Sequence, residues 1–187
     1  GSATVTAVGV RPRTRLGTSE PPYNSTRPGP PWALVSRLGD MSGDGIPDVA
    51  AIWPIWTYPS GFSSACSVLS GADFAPILAV RGLSISGSPE GSAADAGDID
   101  GDGRSDLVVG WSRYYGPSYG QGGVYGLSGL IFSLNHADRS YGSSVCGNID
   151  WDVDGRSDIV VSADTFAEVL SGRDQTVLYR WNRGGRL

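Results

Sequence analysis

The chain has 187 residues, 40% of them hydrophobic, and a formal net charge of −5. That is enough apolar material for the core of one domain, and 28 glycines with 12 prolines favour short strands and turns over helices. All 14 basic residues are arginines without a clustered run, which argues against nucleic-acid binding. No stretch approaches the ~18 apolar residues that a membrane span needs. We therefore expect an all-β protein.

The first 31 residues differ in composition from the rest of the chain. Residues 4–10 alternate polar and apolar side chains, which predicts one strand. Residues 11–31 are rich in proline, serine, threonine and arginine, so we expect an extended connection over the surface. We treat residues 1–31 as a separate N-terminal segment.

A nine-residue loop then occurs three times, at residues 40–48 (loop one), 98–106 (loop two) and 150–158 (loop three). Oxygen-bearing side chains occupy positions 1, 3, 5 and 9 of every copy, and position 7 would add a backbone carbonyl. Calcium prefers about six to eight such oxygen ligands, whereas magnesium requires a stricter octahedron. The predicted ligands are Asp40, Ser42, Asp44, Ile46 and Asp48; Asp98, Asp100, Asp102, Arg104 and Asp106; and Asp150, Asp152, Asp154, Arg156 and Asp158.

Two other interpretations of these loops agree less well with the sequence. Aspartate and glycine also dominate ordinary turns, so a single copy would not predict a metal site. Three copies with the same spacing favour bound cations, since carboxylates this close together would otherwise repel one another. An EF-hand does not fit, because position 12 is Ala51, Val109 or Val161 instead of glutamate. We expect about three Ca2+ sites.

Aligning the loops brings four apolar runs per unit into register. One strand leads into each loop, a second leaves it, and a third ends in the sequence Leu-Ser-Gly before a fourth run follows. Four antiparallel strands that repeat after 58 and then 52 residues are typical of β-propeller blades. The third runs lie at residues 67–71, 124–129 and 168–172, and the predicted blades span residues 32–88, 89–139 and 140–187, together one propeller-type domain.

The segment Gly97-Asp98-Ile99-Asp100-Gly101-Asp102-Gly103-Arg104-Ser105-Asp106-Leu107-Val108-Val109-Gly110 resembles the FG-GAP repeats of integrin α-subunit propellers and of secreted bacterial proteins. Two departures from the family pattern are Ser42 at position 3 of loop one and Val153 at position 4 of loop three. The resemblance implies an extracellular calcium-binding propeller module for adhesion or protein recognition, with calcium in a structural role. A carbohydrate-binding accessory domain or lectin is the alternative, and a catalytic propeller such as a polysaccharide lyase is a third.

Propellers of this family have about seven blades, whereas the sequence predicts three. An open arc would leave a sheet face and strand edges uncovered at both ends. Three explanations stay open: a fragment of a larger propeller, a homo-oligomer that completes one, and an N-terminal strand that covers one end.

The connections between the second and third strands of blades one and two are rich in aromatic residues. In a propeller they lie on the face opposite the metal loops, where exposed rings would suit a protein or glycan ligand, although the rings could instead fill the blade interfaces. We predict no catalytic residue, because the single His136 has no second histidine and no nucleophile motif accompanies it. The predicted ligand-binding residues are Trp56, Tyr58, Phe62, Tyr114, Tyr115 and Tyr119.

Two cysteines, Cys66 and Cys146, fall on predicted strands. We expect both to be small buried hydrophobic side chains, with a disulfide between them left open. Open acidic loops fill best at the millimolar calcium concentrations found outside cells, which indicates a secreted or cell-surface protein.

Overall fold

The computed structural model describes residues 34–57, 61–81, 89–113 and 120–183, and these ranges contain twelve strands. The predicted strand at residues 4–10 and the proline-rich connection lie outside the described residues. In the described part of the chain there is no helix that is long and apolar enough to cross a membrane.

The strands form three antiparallel sheets of four, and in each sheet they follow one another in chain order. Sheet one contains β1 (Leu34–Arg37), β2 (Val49–Thr57), β3 (Gly61–Leu69) and β4 (Pro76–Arg81). Sheet two contains β5 (Pro89–Gly97), β6 (Asp106–Arg113), β7 (Gly120–Gly126) and β8 (Gly129–His136). Sheet three contains β9 (Ser144–Ile149), β10 (Asp158–Ser162), β11 (Phe166–Leu170) and β12 (Val177–Asn182). This arrangement confirms the expected all-β fold built from propeller-type blades.

Sheet two is covered on both faces, which explains the continuous apolar run in β6. Leu107 and Val109 pack in a core shared with sheet one, whereas Val108 between them packs in a core shared with sheet three. Successive strand residues point to opposite faces, so a strand buried on both sides needs apolar residues at every position.

The first strands of the three sheets are neighbours, since β5 packs against both β1 and β9. Each metal loop joins the first and second strands of its sheet, so the three loops lie at the same end of the strands. β2 ends and β3 begins at the opposite end of sheet one, and β6 ends and β7 begins at the opposite end of sheet two, as the antiparallel order requires.

Strand pairing corrects one predicted alignment. Leu69 pairs with Val49 directly after loop one, and Leu170 pairs with Ile159 directly after loop three, so these leucines are equivalent. In sheet two the equivalent residue is Tyr125, which pairs with Leu107. The Leu-Ser-Gly of blade two was therefore wrongly predicted to end a third strand. Leu127 and Ser128 instead form a two-residue turn, and Gly129 begins β8, where it pairs with Gly126 of β7.

The two cysteines have different environments. Cys66 is buried in the core between sheets one and two, and burial raises the pKa of its thiol to about 12. Cys146 is exposed, so the prediction that both are buried was wrong. Its neighbour Val145 packs against sheet two, and successive strand residues face opposite sides. Both cysteines are free thiols.

Candidate metal centre

The aspartate at position 9 anchors each loop to the strand that follows it. All three are buried, and Oδ2 of each accepts the backbone N–H of the residue at position 2. A buried carboxylate requires such donors, which here fix both ends of the loop to each other. The N···O distances are 2.9 Å from Met41 to Asp48, 2.8 Å from Ile99 to Asp106 and 2.7 Å from Trp151 to Asp158.

The same aspartates tie the loop to the end of the third strand. In sheets one and three, Oδ1 accepts the N–H of Gly71 at 2.9 Å and of Gly172 at 3.1 Å. In sheet two, Gly126 lies close to the carboxylates: a Cβ there would be 2.9 Å from Asp106 Oδ1 and 3.3 Å from Asp100 Oδ2. A larger residue at position 126 would therefore crowd the site.

The aspartate at position 1 organises the turn from inside. Its carboxylate accepts the N–H of the glycine at position 6, at 2.6 Å from Gly45 to Asp40, 2.9 Å from Gly103 to Asp98 and 3.0 Å from Gly155 to Asp150. Positions 4 and 6 have a positive φ in all three loops, and only position 4 of loop three is not glycine. Val153 occupies that position with a φ of 61°, so the three backbones agree despite the substitution.

Carboxylates converge in loops two and three. Two ligands of one calcium ion, each about 2.3–2.6 Å from it, lie at most about 5 Å apart. The aspartates at positions 1, 3 and 9 meet this limit, with carboxylate oxygens that lie within 4.8 Å of one another. The two groups are Asp98, Asp100 and Asp106, and Asp150, Asp152 and Asp158. Both groups fit one calcium ion each.

Loop one differs at position 3. Ser42 stands there, and its hydroxyl lies 3.1 Å from the Asp40 carboxylate, to which it donates. Among the described residues, loop one therefore has no group of three carboxylates. The position 5 aspartates are outside the groups in every loop, and each accepts the N–H of position 7 at 2.8–2.9 Å. Their ligand roles, and those of the position 7 carbonyls, stay predictions.

The electrostatics of loop two favour a bound cation. Burial, together with the charges of Asp100 and Asp102, raises the pKa of Asp106 to about 7. Without a metal the loop thus holds a carboxyl group that resists ionisation. A divalent cation beside it would favour the charged form.

The aromatic residues predicted to bind a ligand are only partly described. Tyr58, Tyr114, Tyr115 and Tyr119 lie outside the described residues. Trp56 of β2 pairs directly with Phe62 of β3, at the end of sheet one opposite loop one. The roles of all six stay predictions.

A second group of polar side chains lies in a cleft between β8 and β12. The cleft has a volume of about 270 Å3, and none of its lining residues belongs to a metal loop. The Tyr141 hydroxyl donates to Glu168 Oε1 at 2.8 Å, and Arg180 Nε donates to Glu168 Oε2 at 2.9 Å. Arg180 also lies 4.4 Å from the centroid of the Phe166 ring, and His136 stacks on Tyr141.

Burial and the hydrogen bond to Glu168 raise the pKa of Tyr141, so this hydroxyl stays protonated. Sequence analysis missed this group. The available signal was Glu168 itself, an acidic residue within an otherwise apolar strand, where an unpaired charge would be costly.

Sequence analysis also missed an exposed aromatic group on sheet three, formed by Trp151, Tyr179 and Trp181. Their ring centroids lie 4.7–5.9 Å apart, and between 41% and 47% of each residue is exposed. Met41 and Ile99 share position 2 with Trp151, but both are buried between sheets. Alternate aromatic residues on β12 were the available signal, since they share one face of the strand.

Comparison with known proteins supports the assignment of sheet two. A family model described as FG-GAP repeat matches residues 91–127, which run from within β5 through loop two and β6 to the end of β7. None of the curated proteins compared with the chain matches it. Sheets one and three have the strand order of the matched sheet and a loop of the same spacing. Residues 91–127 therefore match an FG-GAP repeat, and the three four-stranded sheets are consistent with propeller-type blades.

Proposed function

We propose that the chain is an extracellular, calcium-stabilised propeller module that recognises a protein partner, as in adhesion. The geometry of the loops supports the proposal that they bind calcium. In all three loops a buried position 9 carboxylate holds the N–H of position 2, and two loops bring three carboxylates within reach of one ion. FG-GAP repeats commonly bind calcium and occur in extracellular proteins, which supports both the ion and the location.

Calcium has a structural role in this proposal. Each ion would lie where the first strand of a sheet, the second strand and the end of the third strand meet. The loops contain eleven of the 19 acidic residues, and three divalent ions would change the formal net charge from −5 to about +1. Binding only to the folded chain adds to its free energy of unfolding, by about 2.7 kcal/mol per site at a calcium concentration of 100 times Kd.

The test is thermal unfolding with millimolar calcium and with a chelator. We expect a higher Tm with calcium and a smaller effect of magnesium, because magnesium requires a tighter octahedron. Asp100→Asn should reduce the calcium effect, whereas Asp164→Asn, which removes a carboxylate outside the metal loops, should not. Equal midpoints in calcium and chelator would contradict the proposal.

Partner recognition is assigned to the end of the sheets opposite the metal loops. β2 and β6 end there, and in the sequence the aromatic residues predicted to bind a ligand lie at the end of β2, at the start of β3 or in the segment that follows β6. Trp56→Ala and Tyr115→Ala are expected to weaken binding of a purified partner by about 1–3 kcal/mol with little change in Tm. Unfolding of both variants would mean that the rings belong to the core.

Carbohydrate binding is the second candidate function, and the cleft between β8 and β12 favours it. The cleft places Asn135, Gln175 and Arg180 beside the rings of His136 and Tyr141. Polar donors and acceptors next to aromatic rings suit a sugar, which presents hydroxyl groups and an apolar ring face. A glycan array with Asn135→Ala and Gln175→Ala as variants tests it. Turnover of a bound polysaccharide would support the catalytic alternative instead.

A further inference from the structure

Two arginines connect neighbouring metal loops across the junctions between sheets. Arg104 Nη1 of loop two donates to the backbone carbonyl of Ser42 in loop one, at 3.2 Å. Arg156 Nη1 of loop three donates to the carbonyl of Ile99 in loop two, at 3.1 Å. Both arginines stand at position 7, whose backbone carbonyl is a predicted calcium ligand of their own loop.

The residue after each arginine extends the contact between loops. The N–H of Ser105 donates to the carbonyl of Asp40 at 3.2 Å, and a side chain on Gly39 would overlap Ser105. Ser157 packs against Gly97 in the same way at the next junction. Positions 7 and 8 of one loop therefore lie directly against the start of the preceding loop.

Each arginine contact leads to the buried carboxylate of the preceding site. Arg156 holds the carbonyl of Ile99, and the N–H of Ile99 donates to Asp106 at 2.8 Å. Arg104 holds the carbonyl of Ser42, and the N–H of Ser42 donates to Asp48 at 2.8 Å. The position 9 aspartate is thus linked by two hydrogen bonds to the position 7 residue of the next loop.

We propose that Arg104 and Arg156 couple adjacent calcium sites, so that an ion in one loop strengthens binding in the preceding loop. This inference rests on the proposed function, because it requires the loops to bind calcium. An ion in loop three would fix the backbone of Arg156 through its carbonyl, and the ordered side chain would then hold Ile99 and Asp106 in place. Linkage makes the effect reciprocal, so the two sites strengthen each other by the same factor.

The test is a calcium titration of the full chain labelled with 15N-glycine. The amide resonances of Gly103 and Gly155 then report loops two and three separately, because each donates to the position 1 aspartate of its own loop. Arg156→Met is expected to raise the half-saturating calcium concentration of loop two by about fivefold or more, the lower end of typical coupling. Loss of a positive charge beside acidic loops would by itself strengthen binding, so weaker binding identifies the lost hydrogen bond.

Arg183→Met is the matched control, since Arg183 contacts Asp164 and Thr165, outside the metal loops. Asp152→Asn, which disables loop three, should raise the midpoint of loop two by the same factor as Arg156→Met. The double variant should show no further increase. If Arg156→Met does not fold, Arg156→Lys keeps the charge without the guanidinium contact and should raise the midpoint of loop two at least as much, because no charge effect opposes the loss of the contact.

An unchanged midpoint of loop two in Arg156→Met would overturn the coupling. In that case a calcium response of Gly103 and Gly155 would still support the proposed function. If neither resonance responds to millimolar calcium, both the coupling and the calcium part of the proposed function fail.

Discussion

At the scale of single residues, the metal loops could be predicted because their chemistry is local. Alternating oxygen-bearing side chains predicted that positions 1, 3, 5 and 9 surround one point, and in loops two and three the carboxylates of positions 1, 3 and 9 lie together in the structure. The sequence could not show that Asp102 accepts the N–H of Arg104 at 2.9 Å, because that contact depends on the backbone path of the turn. Nor could it show the contacts that Arg104 and Arg156 make with another loop.

Val153 carries a backbone cost that the equivalent glycines of the other loops avoid. Its φ is 61°, and it is 84% exposed, so its side chain gains little packing in return. The left-handed conformation costs about 1–2 kcal/mol for a residue with a Cβ, while glycine loses about 0.4–1 kcal/mol more in chain entropy. We expect Val153→Gly to raise the free energy of unfolding of the monomeric chain by about 0.5–1 kcal/mol, measured by urea unfolding in calcium at a protein concentration below any self-association.

Val177→Gly is the matched control for that substitution. Val177 begins β12 and is 49% exposed, and its φ is not in the left-handed region. Glycine in a strand should lower the free energy of unfolding by about 0.5–1 kcal/mol. If both variants shifted stability in the same direction, the left-handed backbone of Val153 would not be the cause.

At the scale of strands, the apolar runs predicted the sheets, but similar sequences did not fix their registers. The Leu-Ser-Gly of residues 127–129 has the same letters as residues 69–71, yet the hairpin between β7 and β8 is too tight for the same turn. Register depends on turn length and on the partner strand, which a repeated motif does not contain. The side to which Cys146 points depended on register in the same way.

Strands β11 and β12 are held at their centre by the hydrogen bonds of Glu168 with Tyr141 and Arg180. Tyr141→Phe removes one donor from a buried carboxylate, so we expect it to lower the free energy of unfolding by about 1.5–3 kcal/mol. Thermal or urea unfolding at neutral pH measures this loss. A change below about 0.5 kcal/mol would show that Arg180 alone satisfies Glu168.

The same hydroxyl gives strands β11 and β12 a dependence on alkaline pH. Burial and Glu168 raise the pKa of Tyr141 above its ordinary value of 10, so the folded state favours the protonated form. Its contribution is complete below the unfolded pKa and decreases as the pH rises above about 10. Unfolding measured between about pH 8 and pH 11 spans the ordinary pKa of tyrosine. Over this interval, Tyr141→Phe should lose less stability than the native chain.

At the scale of the whole molecule, the outer faces of sheets one and three differ at two equivalent places from the junction between sheets one and two. At that junction, the guanidinium group of Arg104 in loop two lies close to Gly43 in loop one: its carbon would be 3.0 Å from a Cβ built on Gly43. At the outer faces, Ile46 stands in place of Arg104 and is 44% exposed, and Val153 stands in place of Gly43. If sheet one of a second copy packed on sheet three, two apolar side chains would meet at the places that Arg104 and Gly43 occupy between sheets one and two. The exposed rings of Trp151 and its neighbours would be covered by the same contact.

We therefore expect the chain to associate head to tail, with two copies giving six sheets, within the usual propeller range of about four to eight blades. Light scattering over a range of concentrations should show a dimer. Ile46→Lys or Val153→Asp alone should weaken it, because each leaves a charge against an apolar side chain. A mixture of the two variants should restore the dimer, since lysine meets aspartate at one junction and the native pair forms at the other. A monomer at every concentration would contradict this association and leave the other two explanations, a fragment of a larger propeller and an N-terminal strand that covers one end. A mixture that stays monomeric would contradict the pairing of these two faces.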